Sequence, residues 1–281
     1  METIAAVITL IVLVSAAVSD LRIREASDLH WMVLAVMGAS IFGIRLYDGG
    51  YGPLTYASVA SIVLMTADLV WDRESERYDL ALYVLIAASV IVSLFSLMDS
   101  DLLWTYMSMP VMYLVMNVMY YTGIVKGGAD AKAVISIAFA FPTYPDMGVL
   151  PLIEVPSGSV VQLLVPAFSV FFLAAVLTIL MAIPYLIINL IRGDREFPLM
   201  FAGYRMDIGR AEHAHVWPME DVSDGETVRC ISGFEDPEVI DRFRASGRDR
   251  IWVTPIIPFL MPIALSFAII VFLGNPLFAF I

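Results

Sequence analysis

Basic residues and cysteine are scarce in this chain. Only 16 of 281 residues are Lys or Arg, against 28 Asp or Glu, for a formal net charge of -12. Phosphate backbones are bound by an excess of bases, so nucleic acid is not a partner of such a chain. One cysteine, Cys230, leaves no disulfide framework and no CxxC zinc pair. Charge of either sign is also thin: 16% of residues are charged and 60% hydrophobic, with a mean hydropathy of +0.83. Soluble domains run near half apolar and a quarter charged, so the main solvent here is lipid. The apolar stretch 4–18 lacks the basic flank of a secretory signal, and many apolar runs follow, so it reads as a retained first span.

A helix crosses the hydrocarbon core with about 20 mostly apolar residues. Runs of that kind fall at 2–19, 29–46, 54–71, 79–98, 102–122, 131–143, 159–191 and 254–280. The sixth is short and ends against Pro142 and Pro145, which predicts a partial or tilted helix. The expected fold is an all-α polytopic membrane protein of about eight transmembrane helices, with a small cytoplasmic α+β insert before the last. The expected division is a membrane-embedded domain over 1–191, the insert over 192–253 and a C-terminal transmembrane helix over 254–281.

The bases are sorted. Arg22 and Arg24 follow the first span, Arg73 and Arg77 the third, and Lys126 and Lys132 flank the turn between the fifth and sixth. All others except Arg45 lie from Arg192 to Arg250, whereas the opposite loops hold Asp48, Asp99, Asp101, Asp146 and Glu154. Cytoplasmic loops collect Lys and Arg. Both termini are therefore expected outside and the insert inside. Within the insert, 213–220 and 225–234 read as strand-like pieces. Asp236, Pro237 and Gly247 bracket a helix as N-cap, first turn and stop. Trp252, on the return to the membrane, reads as an interfacial anchor.

Ionisable residues at membrane depth are costly and point to function. Asp20 closes the first span and Asp130 opens the sixth, with Asp68 inside the third and Asn117 inside the fifth. Four crossings separate Asp20 from Asp130, so both face the same side. Two carboxyl groups so placed can share a proton, one acting as base toward water and the other as acid toward an amide. That chemistry uses no metal, no cofactor and no nucleophilic side chain. Gly127 and Gly128 permit close approach, and Asp130 stands at a helix amino end, where the dipole favours its ionised form. Read without that pairing, Asp130 is a helix cap and Asp20 a solvated loop residue.

At these positions the sequence resembles the GxGD intramembrane aspartic proteases, and within them the archaeal preflagellin and prepilin peptidases. The run Gly127-Gly128-Ala129-Asp130-Ala131-Lys132 is similar to the second catalytic motif, with Lys132 the basic residue that follows. The run from Ser19 to Asp28, SDLRIREASD, is similar to the first, with Asp20 the catalytic partner. Phe201-Ala202-Gly203-Tyr204 and the stretch 251–259 also resemble the archaeal branch. Position 129 is Ala where the family name implies Gly, a variation of the archaeal branch. Members commonly have six spans, and this chain carries two more between the aspartates, an even number that preserves their sidedness. With Cys230 alone, the N-methylation activity of bacterial relatives with a cysteine-rich insert is not expected. No PAL-type motif of the presenilin branch appears near the C-terminus.

The resemblance implies an aspartic endopeptidase at the cytoplasmic membrane face. Its substrates would be archaellin or pilin-like precursors with a short basic leader followed by a hydrophobic helix. The acidity of the chain suits such leaders through long-range attraction. A different class of reading is a transporter or channel with a polar path through Asp68, Asn117 and Asp130, although no pair of related halves is found. Asp68 also reads as snorkelling or as paired with an Arg. His213, His215 and Cys230 form an incomplete zinc set, and His30 reads as an interfacial or hydrogen-bonding residue.

Overall fold

The computed structural model describes residues 1–156, 164–223, 226–236 and 238–280. Among the described residues, six helices are long and apolar enough to cross a membrane: Glu2–Ile23 (α1), Asp28–Asp48 (α2), Pro53–Val70, Glu76–Leu97 (α4), Leu102–Tyr121 (α5) and Pro166–Arg192. The third joins a 3-10 turn, Pro53–Tyr56, to α3 (Ala57–Val70), and the sixth joins α7 (Pro166–Leu180) to α8 (Ala182–Arg192). The other two expected spans are short helices of 13 residues, α6 (Gly128–Ala140) and α12 (Leu260–Phe272). The start of the run 159–191, residues 159–163, lies outside the described residues.

The chain forms two compact units, 1–174 with 258–281, and 175–257. In the first, large apolar side chains point outward: on α4 alone Leu80, Val84, Leu85, Ile91 and Phe95 are exposed. That pattern costs nothing in lipid, where a helix needs small or polar residues only where it meets another helix. The inside of the unit is α6. Residues 133–141 are all buried, and α6 packs against α1, α2, α5 and α12. A Cβ on Gly38 of α2 would overlap the main-chain carbonyl of Phe139, so this helix pair approaches so closely only because position 38 has no side chain. At 1.5 Å per residue α6 reaches about 20 Å, short of the roughly 30 Å hydrocarbon core. A helix enclosed on all sides can be that short because its neighbours, not its own length, keep lipid away from its ends.

The end of this unit opposite the aspartates is pinned by polar contacts. Arg45 Nη2 lies 3.0 Å from Glu2 Oε1, and the Asp146 N–H donates to Glu2 Oε2 at 2.6 Å. Asn275 donates to Tyr144 Oη at 2.9 Å and to Ser169 Oγ at 3.0 Å, all three being buried. Gly274, at φ 97, sits where a Cβ would strike Ile153, which places the turn after α12 against the chain at 152–153.

The second unit carries the insert. Its strands are β1 (Tyr204–Asp207), β2 (Val216–Pro218), β3 (Glu220–Ser223), β4 (Glu226–Arg229) and β5 (Arg250–Pro255). Antiparallel pairing orders three of them β1-β5-β2, and β3 and β4 form a separate hairpin. Short helices lie between: α9 (Leu199–Ala202), α10 (Ile208–Ala211) and α11 (Val239–Ala245). Helix α11 starts later than the sequence suggests. Its N-cap is Glu238, Asp236 Oδ1 accepts from the Glu238 N–H at 2.9 Å, and Gly247 follows at φ 76. Pro237 lies outside the described residues. Arg242 donates to Asp221 and holds its carboxyl below the usual carboxylate range.

The reading of Trp252 as an interfacial anchor is corrected. Trp252 is fully buried at the centre of β5, its indole N–H donating to Glu196 Oε2 at 2.8 Å and its main-chain N–H to Glu220 Oε2 at 3.1 Å. Leu199 and Met219 pack beside it, and Arg205 stands over its ring at 5.5 Å. The run Ile251-Trp252-Val253 is continuously apolar and all three residues are buried, as in a strand covered on both faces, and here that burial decides where the indole goes.

Candidate active site

Asp20 lies in the last turn of α1, which continues to Ile23 rather than stopping before it. Arg24 ends the helix at φ 59, its N–H donating to the Asp20 carbonyl at 2.9 Å. Asp130 lies in the first turn of α6, for which Gly127 is the N-cap. The two helices pack together. Both side chains are half-buried. Topology therefore gathers the two acids at one end of the first unit, from positions 110 residues apart in the chain.

Gly127 is a steric requirement of that arrangement. A Cβ there would overlap Asp130 Oδ2 and stand 2.9 Å from its Cγ. Its backbone, at φ -87 and ψ 116, is open to any residue. The glycine thus serves the carboxyl group and not the turn. Gly128 is different, since a Cβ there would meet only the Tyr120 ring at 3.6 Å, an ordinary contact.

Lys132, one turn along α6, donates to Asp28 Oδ1 at 2.6 Å. Asp28 opens α2, and Ser27 before it caps that helix by accepting the Leu29 N–H at 3.3 Å. The loop from α1 to α2 is braced further. Ser19 Oγ donates to the Glu25 carbonyl at 2.7 Å, and His30 reaches Ser27 O through Nδ1 at 2.8 Å and Ser15 Oγ through Nε2 at 3.2 Å. A carbonyl can only accept, so Nδ1 carries a proton. Sequence reasoning singled out Lys132 without its partner. Asp28 was visible as the last residue of the first motif, but nothing in the spacing joins it to a lysine 104 positions on.

Asp68 is engaged elsewhere. Arg73 Nη2 lies 2.5 Å from Asp68 Oδ1, Arg73 Nε lies 2.5 Å from Asp79 Oδ1, and Tyr113 Oη donates to Asp68 Oδ2 at 2.5 Å. Of the two roles read for Asp68, the pairing with an arginine is the one found. The Asn117 amide donates to the Tyr113 carbonyl of its own helix at 2.9 Å. Among the described residues no hydrogen bond or ion pair joins Asp68 or Asn117 to Asp130. The zinc set is not assembled either. Among the described residues no three or more His, Cys, Asp or Glu side chains gather as metal ligands, and Cys230 Sγ lies 3.2 Å from Ser232 Oγ.

Comparison with known proteins gives the same direction. A family model described as Archaeal Peptidase A24 C-terminus Type II matches residues 195–275. The preflagellin peptidase of Methanococcus voltae is 28% identical over 181 residues, covering 60% of this chain and 72% of that protein. The preflagellin peptidase of Methanococcus maripaludis is 25% identical over 281 residues, covering 96% of this chain and 94% of that one. That of Methanocaldococcus jannaschii is 26% identical over 157 residues, 53% of this chain and 63% of its own length. With motifs, membrane helices and β insert all in place, the chain is similar to archaeal preflagellin peptidases over nearly its whole length.

Proposed function

We propose that this chain is a membrane aspartic endopeptidase that removes the leader from preflagellin or prepilin-like precursors at the cytoplasmic membrane face, with Asp20 and Asp130 as its acid–base pair. What supports the reading is the packing of α1, with Asp20 in its last turn, against α6, with Asp130 in its first, and the space for the Asp130 carboxyl that Gly127 leaves open. In the reaction, one carboxylate takes a proton from water as its oxygen bonds to the scissile carbonyl carbon. The protonated partner gives its proton to the departing amine as the C–N bond breaks. The step needs one ionised and one protonated carboxyl, which two carboxyl groups sharing a proton supply.

Sidedness follows from the bases. Arg22, Arg73, Lys126 and Lys132 flank the end of the first unit that holds the aspartates, and Arg45 at the other end is paired with Glu2. The site then faces the cytoplasm, where a basic leader would arrive before its hydrophobic helix crosses the bilayer. Lys132, bound to Asp28, supports the site by tying α6 to α2 beside Asp130. Co-expression with a leader-bearing precursor tests the reading. The precursor should shift to the mature size on a gel, and a precursor that stays uncut beside membrane-inserted wild-type protein would end the proposal.

A further inference from the structure

Helix α8 is inside out even where the chain leaves the membrane. Its one buried residue is the polar Asn189, whose amide donates to the Met200 carbonyl at 2.9 Å and the Gly203 carbonyl at 2.7 Å. Its apolar side chains point away from the unit: Ile183, Ile187, Leu190 and Ile191 are exposed, the last at 80%. A helix on a soluble domain does the reverse. Just past the helix, the segment that Asn189 ties to it carries Phe197, 80% exposed, with Phe201 beside it at a ring separation of 6.0 Å. Exposed apolar surface of this kind marks a contact with lipid or protein.

The length of the helix chooses between them. The apolar stretch Pro166–Arg192 has 27 residues, about 40 Å at 1.5 Å per residue, while the hydrocarbon core is about 30 Å and the headgroup layers bring the bilayer to roughly 40–45 Å. The last two turns therefore pass through the headgroup layer, and Phe197 and Phe201 follow within a few residues. Arg192 and Arg195 are exposed beside them, and neither forms an ion pair among the described residues. An apolar face with flanking arginines is the composition of an interfacial segment, the rings seated at the acyl boundary and the guanidinium groups at phosphates.

We infer that the end of α8 and the Phe197–Phe201 pair form an interfacial foot of the insert, seated in an anionic leaflet, with Arg192 and Arg195 at lipid phosphates. The foot holds the 175–257 unit at the membrane surface, and it does not rest on the peptidase reading. The test uses the full chain with Cys230→Ser and a nitroxide label on Phe197→Cys, in nanodiscs of phosphatidylcholine alone or in equal parts with phosphatidylglycerol. The label should collide readily with oxygen and poorly with a water-soluble nickel chelate. The Arg192→Gln, Arg195→Gln pair should move it toward water in the mixed discs more than in phosphatidylcholine. Full nickel access would overturn the foot, and so would a label shielded from both reagents, which would mean a protein partner or second copy covers the patch. An arginine effect equal in both lipids would overturn the anionic contact. Repeating the labelling at Phe201→Cys guards against a local disturbance at one site.

Discussion

The Asp130 carboxyl occupies the space that a side chain on Gly127 would need. Because the backbone at Gly127 is in an ordinary extended region, alanine there brings no main-chain strain and acts on the carboxyl alone. Gly127→Ala should leave expression and melting temperature near wild type while cleavage falls about 100-fold, the cost of misplacing a reacting group by an ångström or so. Gly128→Ala, where the neighbour is the Tyr120 ring at an ordinary distance, should cost far less. Equal losses in the two variants, measured as precursor turnover in membranes, would contradict this account of the motif.

Lys132 and Asp28 make a pair whose sign can be reversed. Lys132→Glu sets two acids against each other between α6 and α2, and cleavage should drop several-fold with the fold intact. Adding Asp28→Lys should recover most of it. The pair is partly exposed, with side chains at 29% and 40%, so its stability contribution is at most about 1 kcal/mol. The readout is therefore the cleavage rate, and a double variant no better than Lys132→Glu would show that Lys132 acts otherwise than through Asp28.

Asp68 separates structure from chemistry. Its side chain and that of Arg73 are each 7% exposed, so neutralising one partner leaves a buried charge less well paired. Asp68→Asn should lower the thermal midpoint by several degrees and still permit cleavage. Loss of all activity in a stable, well-inserted Asp68→Asn protein would move the active acids to the wrong place in this account.

Much of this was legible in the sequence, and the failures share a cause. The long helices follow from apolar runs, which need no partner to be recognised. The placing of Asp20 and Asp130 at ends of helices on one side follows from counting crossings, and an arginine partner for Asp68 from its place near a helix end, though the spacing did not name Arg73. What was not legible depends on contacts distant in the chain. Lys132 finds Asp28 only because α2 and α6 are neighbours, a closeness that Gly38 allows. Trp252 looked like a membrane anchor because it precedes an apolar run, yet β1 and β2 flank its strand and bury it. The insert's strands, at three to six residues each, are too short for periodicity to define.

Cys230 makes sidedness measurable without engineering, since it is the one cysteine in the chain and is not fully buried. A membrane-impermeant maleimide should label it in inverted vesicles and fail to do so in intact cells. Labelling in intact cells would put the insert outside and break the argument that the site faces the cytoplasm.

Asparagine isolates the acid–base role of Asp20 and Asp130. An amide hydrogen-bonds and caps a helix much as a carboxylate does, but it neither takes a proton from water nor gives one to an amine. Asp20→Asn and Asp130→Asn should each abolish the size shift of a co-expressed precursor, with membrane levels of the variant protein unchanged. Processing at near wild-type rate by either variant would contradict the pair.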